Sequence, residues 1–446
     1  MKLAILGGGG FRVPLVYRAL LHDTHAQRIS AVALYDTDAE RLRVVTALLA
    51  QLGAGHADAP RVESTTSLDE ALQGADFVFS AIRVGGLAGR TQDERVALKL
   101  GVLGQETTGP GGLAYALRTI PVAVRIAERI RAVAPTAYVM NFTNPAGMIT
   151  EAMQGVLDTR VVGICDTPGE LGRRIAGQLG VPASRVRLDY VGLNHLGWLR
   201  RIVHDGVDLL PSVLDSPGAL EEADVFGADW LRSLGSIPNE YLYYYYFHRD
   251  AVRKILAGSQ TRGEYLLAQQ STFYAEAGKD LSRASTLWRR TLDEREATYL
   301  AEARESEREV PDRSGSGEPG GYEGVALAVM AAIARGEQST MILNVRNGST
   351  LPAFDPAAVI EVPSVVSANG ASPIATAPPD LHQLGLMQQV KAVERLVIEA
   401  ASTGSRSLAV KAFALHPLVD SVSLARDLVD GYIRAIPEVA AVLEVR

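Results

Sequence analysis

The chain opens on a short apolar run, Lys2-Leu3-Ala4-Ile5-Leu6, which ends on the four glycines Gly7 to Gly10 and gives way to an apolar stretch of helical spacing, Val13 to Leu21. A run of this length predicts a buried strand, and the glycines predict a tight turn into a helix. The alternation then repeats, with a strand over Ile29 to Tyr35, a helix over Asp38 to Gln51, a short strand near Arg61, a helix over Ser67 to Leu72 and a strand over Phe77 to Ala81. A long helix over Leu113 to Ala134, a strand at Tyr138 to Met140, a helix over Met148 to Met153 and a strand from Val161 into Cys165 extend it. Strands alternating with helices predict an α/β fold that begins as a doubly wound Rossmann-type parallel sheet.

Past His195 the pattern changes. Gly197 to Val203 and Val207 to Leu210 read as antiparallel strands, and helical patterns over Thr261 to Arg308 and Tyr322 to Arg335 flank a proline-, serine- and glycine-rich loop, Pro311 to Gly321. Strands at Met341 to Val345 and Val359 to Val366 precede helices over Leu386 to Ala400 and from Ser407 onward. The expected division is an NAD-binding Rossmann-like domain over 1–190 and a mixed α+β substrate and metal-binding domain with C-terminal helices over 191–446, partly interleaved. The run Tyr241-Leu242-Tyr243-Tyr244-Tyr245-Tyr246-Phe247 puts phenols on successive helical positions. They cannot all face one core, so most are expected to pack their rings and expose their hydroxyls.

The 446 residues, 47% of them apolar, can bury a substantial core. A net charge of -7 leaves no basic footprint for nucleic acid or an anionic membrane surface. No run of about 18 apolar residues predicts a membrane span. The first residues lack the pattern of a signal peptide, and a single cysteine excludes an intrachain disulfide, so the expected compartment is the cytoplasm. In an acidic chain an anionic substrate needs local arginines, and Arg83, Arg90 and Arg95 follow directly on an apolar strand. Guanidinium forks at the carboxyl end of a sheet strand suit a phosphate. The other reading is a helix face on which arginines pair with Asp93 and Glu94, a reading favoured for Arg95. The loop from Gly101 to Gly112, rich in glycine and hydroxyls, is expected to face a ligand.

Gly7, Gly8 and Gly9 let the backbone approach a pyrophosphate at a helix N-terminus, and Asp36, at the end of the second strand, is placed for ribose hydroxyls. An acid there favours NAD over NADP. The alternative is a glycine turn and a strand-terminal acid in a sheet without cofactor. Cys165 and His195, beside Asp166 and Asn194, make a soft and borderline pair that suits Mn2+, Fe2+, Co2+, Ni2+ or Zn2+ with positions left for substrate. The competing reading is a small buried thiol and a hydrogen-bonded core imidazole. Asn144-Pro145 forms a turn that caps the next helix and also faces a ligand.

The motifs Asn141-Phe142-Thr143-Asn144-Pro145-Ala146-Gly147, Gly163-Ile164-Cys165-Asp166, Gly192-Leu193-Asn194-His195-Leu196-Gly197-Trp198 and Ile237-Pro238-Asn239-Glu240-Tyr241 together resemble glycoside hydrolase family 4, the NAD- and divalent-metal-dependent glycosidases. The likeness runs in order along the chain, and the segments around Arg83 and from Gly104 to Gly112 are similar to the 6-phospho-β-glucosidase branch rather than to the α-galactosidase or α-glucuronidase branches. What the resemblance implies is hydrolysis of a 6-phospho-β-glucoside by NAD-mediated oxidation at carbon 3, elimination of the aglycone, water addition and return of the hydride. On it, Cys165 and His195 hold the metal, Mn2+ in the first place, and Tyr241 and Asp166 are catalytic, Tyr241 as the base at carbon 2. Gly7, Gly8, Gly9, Phe11, Arg12 and Asp36 bind NAD, Arg83 and Arg90 face the 6-phosphate, and Asn144 and Asn194 contact substrate. A homodimer or homotetramer is implied as well. Three departures stand out: Phe11-Arg12 replace the family's usual serine or tyrosine and threonine, Gly235-Ser236 stand where α-type relatives carry an aspartate, and the family's basic residue near Pro319 to Tyr322 is missing. The general acid therefore has no assignment. Three alternatives stay open: a relative acting on unphosphorylated or uronic glycosides, a plain NAD-dependent sugar or hydroxy-acid dehydrogenase, and a catalytically silent NAD-binding regulator.

Overall fold

The computed structural model describes residues 1–215, 220, 225–297 and 321–443. Strands β1 (Lys2–Leu6), β2 (Ala31–Tyr35), β3 (Arg61–Thr65), β4 (Phe77–Ser80), β5 (Tyr138–Asn141) and β6 (Val161–Gly163) pair in parallel, in the spatial order β6-β5-β4-β1-β2-β3. Between them run α1 (Val13–His22), α2 (Ala39–Gly53), α3 (Leu68–Leu72), α4 (Gly86–Lys99), α5 (Pro110–Val133) and α6 (Ala146–Leu157), with α7 (Thr167–Gln178) following β6. Helices cover both faces, which is why Leu3, Ala4, Ile5 and Leu6 of β1 are all fully buried and the strand reads as an unbroken apolar run. The chain reverses direction across the sheet between β1 and β4. At such a switch point the loops diverge above and below the sheet and leave a crevice at the carboxyl ends of the strands.

Among the described residues the second half builds no sheet of its own. Strands β7 (Val186–Leu193), β8 (Leu196–His204), β9 (Val207–Asp208), β10 (Ile237–Pro238), β11 (Ser339–Arg346), β12 (Val359–Ser367) and β13 (Gly370–Pro373) extend the first sheet, in the order β6-β11-β12-β7-β8-β10 with β9 on β8 and β13 on β12. These pairings are antiparallel. Two of the latest strands in the chain, β11 and β12, therefore sit between β6 and β7. The contacts there are narrow: Asn344 stands opposite Gly163, and Glu361 opposite Gly192. Because Asn344 also faces Glu361 and Gly192 faces Gly197, one row of five residues crosses five strands. The glycines in the row make room. A Cβ on Gly163 would lie 2.8 Å from that of Asn344, and one on Gly197 would lie 2.3 Å from the Tyr190 hydroxyl.

Helix α4 carries Arg90 and Arg95, and no apolar stripe marks it in the sequence because its buried positions include Arg90, Thr91, Asp93 and Glu94. Arg95 does not pair with Asp93 or Glu94. It forks onto Glu264 of the helix Arg262–Lys279 at 2.6 and 2.5 Å, because α4 packs between that helix and α5 and each neighbour supplies a charge of its own. Asp93 instead receives Nη1 and Nη2 of Arg118 from α5, both at 2.7 Å, with both side chains fully buried. Arg118 also donates through Nε to the Val84 carbonyl at 3.0 Å, and so ties the segment between β4 and α4 to α5. A Cβ on Gly85, whose φ is +78°, or on Gly89 would come within 3.1 Å of the Arg118 guanidinium.

The tyrosine run packs its rings as expected, but not on a single helix. It splits into a 3-10 turn, Glu240–Leu242, and a short helix, Tyr243–Tyr246, so the phenols leave in different directions. Tyr243 and Tyr244 are 2% and 1% exposed, and the Tyr246 hydroxyl accepts from Trp198 Nε1 at 2.9 Å. The expected loop Pro311 to Gly321 lies outside the described residues apart from Gly321, as does the expected helical pattern beyond Ala297. Among the described residues no helix is long and apolar enough to cross a membrane. Replacing Arg118 by leucine strands the Asp93 carboxylate in the interior, and the expected loss is about 3–5 kcal/mol of unfolding free energy. Urea denaturation measures it; a loss under about 1 kcal/mol, the range of a surface pair, would show that the pair does not hold α4 to α5.

Candidate active site

At the carboxyl end of β1 the glycine turn is closed by its own backbone. Gly7 and Gly8 both donate to the Tyr35 carbonyl, at 2.9 and 2.7 Å, and Gly9 donates to Asp36 Oδ2 at 3.0 Å. A Cβ on Gly7 would lie 2.5 Å from the Ala81 carbonyl oxygen, and one on Gly8 would lie 2.9 Å from the Tyr35 amide nitrogen. Helix α1 then starts with Pro14 in its first turn, no acidic side chain there, and no side-chain cap from Arg12. An uncapped helix N-terminus behind a side-chain-free turn fits the pyrophosphate of a dinucleotide. Asp36 spends part of its acceptor capacity on Gly9 and on the Asp38 amide at 3.1 Å, which fixes the carboxylate at the strand end. Phe11 turns its ring away, 5.3 Å edge-on to Phe273 in a separate apolar cluster with Trp288, so what it can present to a ligand is backbone.

Arg12 faces the neighbouring loops. Its guanidinium lies 4.2 Å over the Tyr322 ring and 5.6 Å from the centre of Phe142, and reaches Asp166 at 4.0 Å. The motif that begins at Asn141 is largely self-bonded. Asn141 is fully buried, donating to the Thr143 carbonyl at 3.2 Å and accepting from the Thr143 amide at 3.1 Å, while Asn144 Oδ1 accepts from the Ala146 amide at 3.3 Å.

His195 sits in the two-residue turn between β7 and β8, in left-handed backbone with φ 62°, a conformation an L side chain rarely takes and one concentrated at functional sites. Its Nδ1 lies 3.0 Å from Thr107 Oγ1, in the loop after α4, which orients the ring and leaves Nε2 for another partner. The Tyr241 ring stacks on it with centroids 3.7 Å apart and planes 7° from parallel. Burial pushes the imidazole down to about 4, although Asp166 and Glu106 pull the other way, so it is neutral at physiological pH, as a metal ligand must be. Cys165 is 5% exposed, and burial, then Glu361 and Asp166, push its thiol well up. Surroundings that resist a bare thiolate with two carboxylates also favour a divalent cation beside it. Among the described residues no group of three or more His, Cys, Asp and Glu side chains converges to hold a metal. Cys165 and His195 thus fit an ion whose other positions are filled by substrate and water.

The two arginines named for the phosphate share one carboxylate. Arg83 Nη1 is 2.7 Å from Glu106 Oε2, Arg90 Nη1 is 2.9 Å from Glu106 Oε1, and Arg90 Nε donates to Glu94 at 2.9 Å. Burial alone would raise the Glu106 carboxyl, but the guanidinium groups outweigh it and hold it at about 2. The Arg83 side chain is 29% exposed and that of Arg90 8%, so Arg83 is the one a ligand reaches. Sequence reasoning missed Glu106, Thr107 and Glu361. The first two lay inside a loop already marked as ligand-facing, and the third left a signal, a lone acid in the apolar stretch Val359-Ile360-Glu361-Val362.

Comparison with known proteins gives a consistent picture. Residues 2–181 match the description Family 4 glycosyl hydrolase, and residues 190–419 match Family 4 glycosyl hydrolase C-terminal domain. A probable 6-phospho-beta-glucosidase of Bacillus subtilis is 30% identical over 449 residues, covering 98% of this chain and 96% of its own. The 6-phospho-beta glucosidase of Thermotoga maritima, solved with manganese, NAD+ and glucose-6-phosphate, superposes with a TM-score of 0.83 at 28% identity over 98% of this chain and 99% of that one. A 6-phospho-alpha-glucosidase from gut microorganisms, solved with NAD and Mn2+, gives 0.81 at 25% identity over 98% of each.

Thr107→Val deletes the hydroxyl that orients His195 while keeping the side-chain shape. The expected result is a roughly 10- to 100-fold weaker Mn2+ affinity, by calorimetric titration, with NAD affinity unchanged; equal Mn2+ affinity in the two proteins would take Thr107 out of the site.

Proposed function

The chain belongs to family 4 of the glycosyl hydrolases, and from that premise we propose that it hydrolyses 6-phospho-β-glucosides with NAD and a divalent metal, Mn2+ first among candidates. The observation that carries the reading is the stacking of Tyr241 on His195, which sets a phenol beside one of two metal-suited side chains. Support comes from the relatives, whose names include 6-phospho-beta- and 6-phospho-alpha-glucosidases and one of which was crystallised with all three small molecules. When bound, the nicotinamide would supply a reversible hydride acceptor for carbon 3 of the sugar, and the ion a Lewis acid for the oxygen on that carbon. The chain's residues do the rest. Gly7, Gly8 and Gly9 with the start of α1 hold the pyrophosphate, Asp36 accepts ribose hydroxyls, and Phe11 and Arg12 border the cofactor through backbone and side chain. Cys165 and His195 hold the ion, with Thr107 fixing the imidazole. Tyr241 takes the proton from carbon 2, whose acidity rises once carbon 3 is oxidised, and the aglycone departs from carbon 1. Asp166 flanks the ion and anchors Arg12; Asn144 and Asn194 hold sugar hydroxyls. Arg83, with Arg90 behind it, binds the 6-phosphate. In this reading residues 1–190 carry the dinucleotide and 191–446 carry the base and the histidine, interleaved through the common sheet.

A second reading has its own observation: Glu106 already spans Arg83 and Arg90. If that pairing persists with substrate bound, the arginines are scaffold and the substrate is an unphosphorylated or uronic glycoside. Aryl α- and β-glycosides with and without a 6-phosphate, assayed with NAD+, Mn2+ and reductant, separate the readings and fix the anomer. Arg83→Ala is expected to cost roughly 10- to 100-fold in kcat/KM on phosphorylated substrates alone, the range of one or two charge-assisted hydrogen bonds. Parallel losses on both substrate sets favour the second reading. Turnover in D2O tests the chemistry directly, because proton removal by Tyr241 places deuterium at carbon 2 of the released sugar, whereas ordinary acid-base hydrolysis never breaks that bond. Tyr241→Phe is expected to suppress exchange and cleavage together while NAD and metal still bind. Sugar released by the wild-type enzyme with no deuterium at carbon 2 would sink the elimination mechanism.

A further inference from the structure

The row of five residues that joins the halves of the sheet has a carboxylate at its centre. Glu361 is fully buried, on the strand β12 wedged between β11 and β7. Its Oε1 accepts from Asn344 Nδ2 at 2.9 Å and from Asn194 Nδ2 at 3.4 Å, and its Oε2 accepts from the Tyr190 hydroxyl at 3.1 Å. Asn194 is the residue before His195 in the β7–β8 turn. Tyr190 leads on to Asn239, whose Nδ2 donates to the phenol oxygen at 3.4 Å. Asn239 is itself fixed. Its amide donates to the Gly197 carbonyl at 2.8 Å, and its Oδ1 accepts from the Tyr241 amide at 3.0 Å, capping the turn that presents Tyr241. On the other side Glu361 faces Asn344, which faces Gly163, two residues before Cys165.

We propose that Glu361 is the positioning residue of the metal centre, its carboxylate holding the Asn194-His195 turn by one arm and the Tyr241 turn, through Tyr190 and Asn239, by the other, in register with Cys165. No residue of the catalytic set lies on β12, so the role is carried by contact with the groups that do the chemistry. A buried carboxylate is costly unless its lone pairs are engaged, and here donors from β11, from β7 and from the turn after β7 engage them, although burial still outweighs the three and raises the group to about 7. An apolar residue at 361 would leave those three donors unsatisfied. The inference rests on the reading of Cys165 and His195 as metal ligands, and its test is arranged to separate the two.

The test compares Glu361→Gln, Glu361→Asp, Tyr190→Phe and Cys165→Ser with the wild type, using Mn2+ alone as probe, followed by electron paramagnetic resonance of the free ion, with NAD affinity measured beside it. Glutamine keeps the shape but sets an amide donor among donors. The expected result is Mn2+ affinity lowered roughly 10- to 100-fold in Glu361→Gln, partly restored in Glu361→Asp, with NAD affinity as in the wild type. Tyr190→Phe cuts only the second arm. It is expected to keep Mn2+ and NAD affinity while slowing deuterium entry at carbon 2 about tenfold or more, and this arm decides the matter if Glu361→Gln does not fold. Cys165→Ser losing Mn2+ while Glu361→Gln binds it as the wild type does would overturn the proposal and leave the metal reading standing. Wild-type Mn2+ affinity in Cys165→Ser would remove the metal reading and the proposal with it. Wild-type exchange in Tyr190→Phe would show that the second arm positions nothing.

Discussion

The joint where β11 and β12 enter the sheet between β6 and β7 is the constraint on which the site depends. Its two outer contacts are single register pairs, Asn344 with Gly163 and Glu361 with Gly192, and both place a polar side chain against a glycine. Polar groups that enter a sheet interior must find partners there, and these find each other. The ladder between β11 and β12 is long, eight register pairs from Ser339–Val366 to Arg346–Val359, whereas β11 pairs with β6 and β12 with β7 through one register pair each. Cys165 just beyond β6 and the Asn194-His195 turn just beyond β7 take their places on either side of it.

Electrostatics at the site follow from the same economy of partners. Arg83 and Arg90 meet in the shared carboxylate of Glu106, and Arg118 closes fully on Asp93. Burial pushes the His195 imidazole down to about 4, and burial with Glu361 and Asp166 pushes the Cys165 thiol well up. The acidic and basic zones are joined at Arg12, which reaches from the glycine turn to Asp166 across two aromatic faces.

Much of this was legible in the chain. The run Lys2 to Leu6, the glycines and Asp36 announced the opening unit because a buried parallel strand, a side-chain-free turn and a strand-terminal acid each demand particular residues at fixed offsets. The helix Tyr322–Arg335 was read with its own bounds, since a continuous apolar pattern flanked by glycines leaves little choice. Helix α4 was legible only as the competing reading of the arginines, a charged helix face, which the Arg90–Glu94 pair bears out. It is buried on sides that carry Arg90, Asp93 and Glu94, and a helix whose buried face is charged has no periodicity to detect. The tyrosine run was legible in part: its rings pack on separate neighbours as the spacing predicts, but a 3-10 turn before a short helix, rather than one helix, directs them.

What the sequence determined by itself was therefore local chemistry: which strand ends carry glycine, acid, thiol and imidazole, and in what order. Those are properties of short segments, where side-chain type and backbone preference act over a few residues. What only the tertiary structure decided was adjacency. The insertion of β11 and β12 between β6 and β7, the pairing of Arg95 with Glu264, the Thr107 partner of His195 and the place of Glu361 among three donors all join residues far apart in the chain. Contacts of that kind are selected by the packing of whole elements, which no single segment encodes. A lone glutamate in an apolar strand shows that something must satisfy it, but only the folded sheet shows that the partners are Tyr190, Asn194 and Asn344.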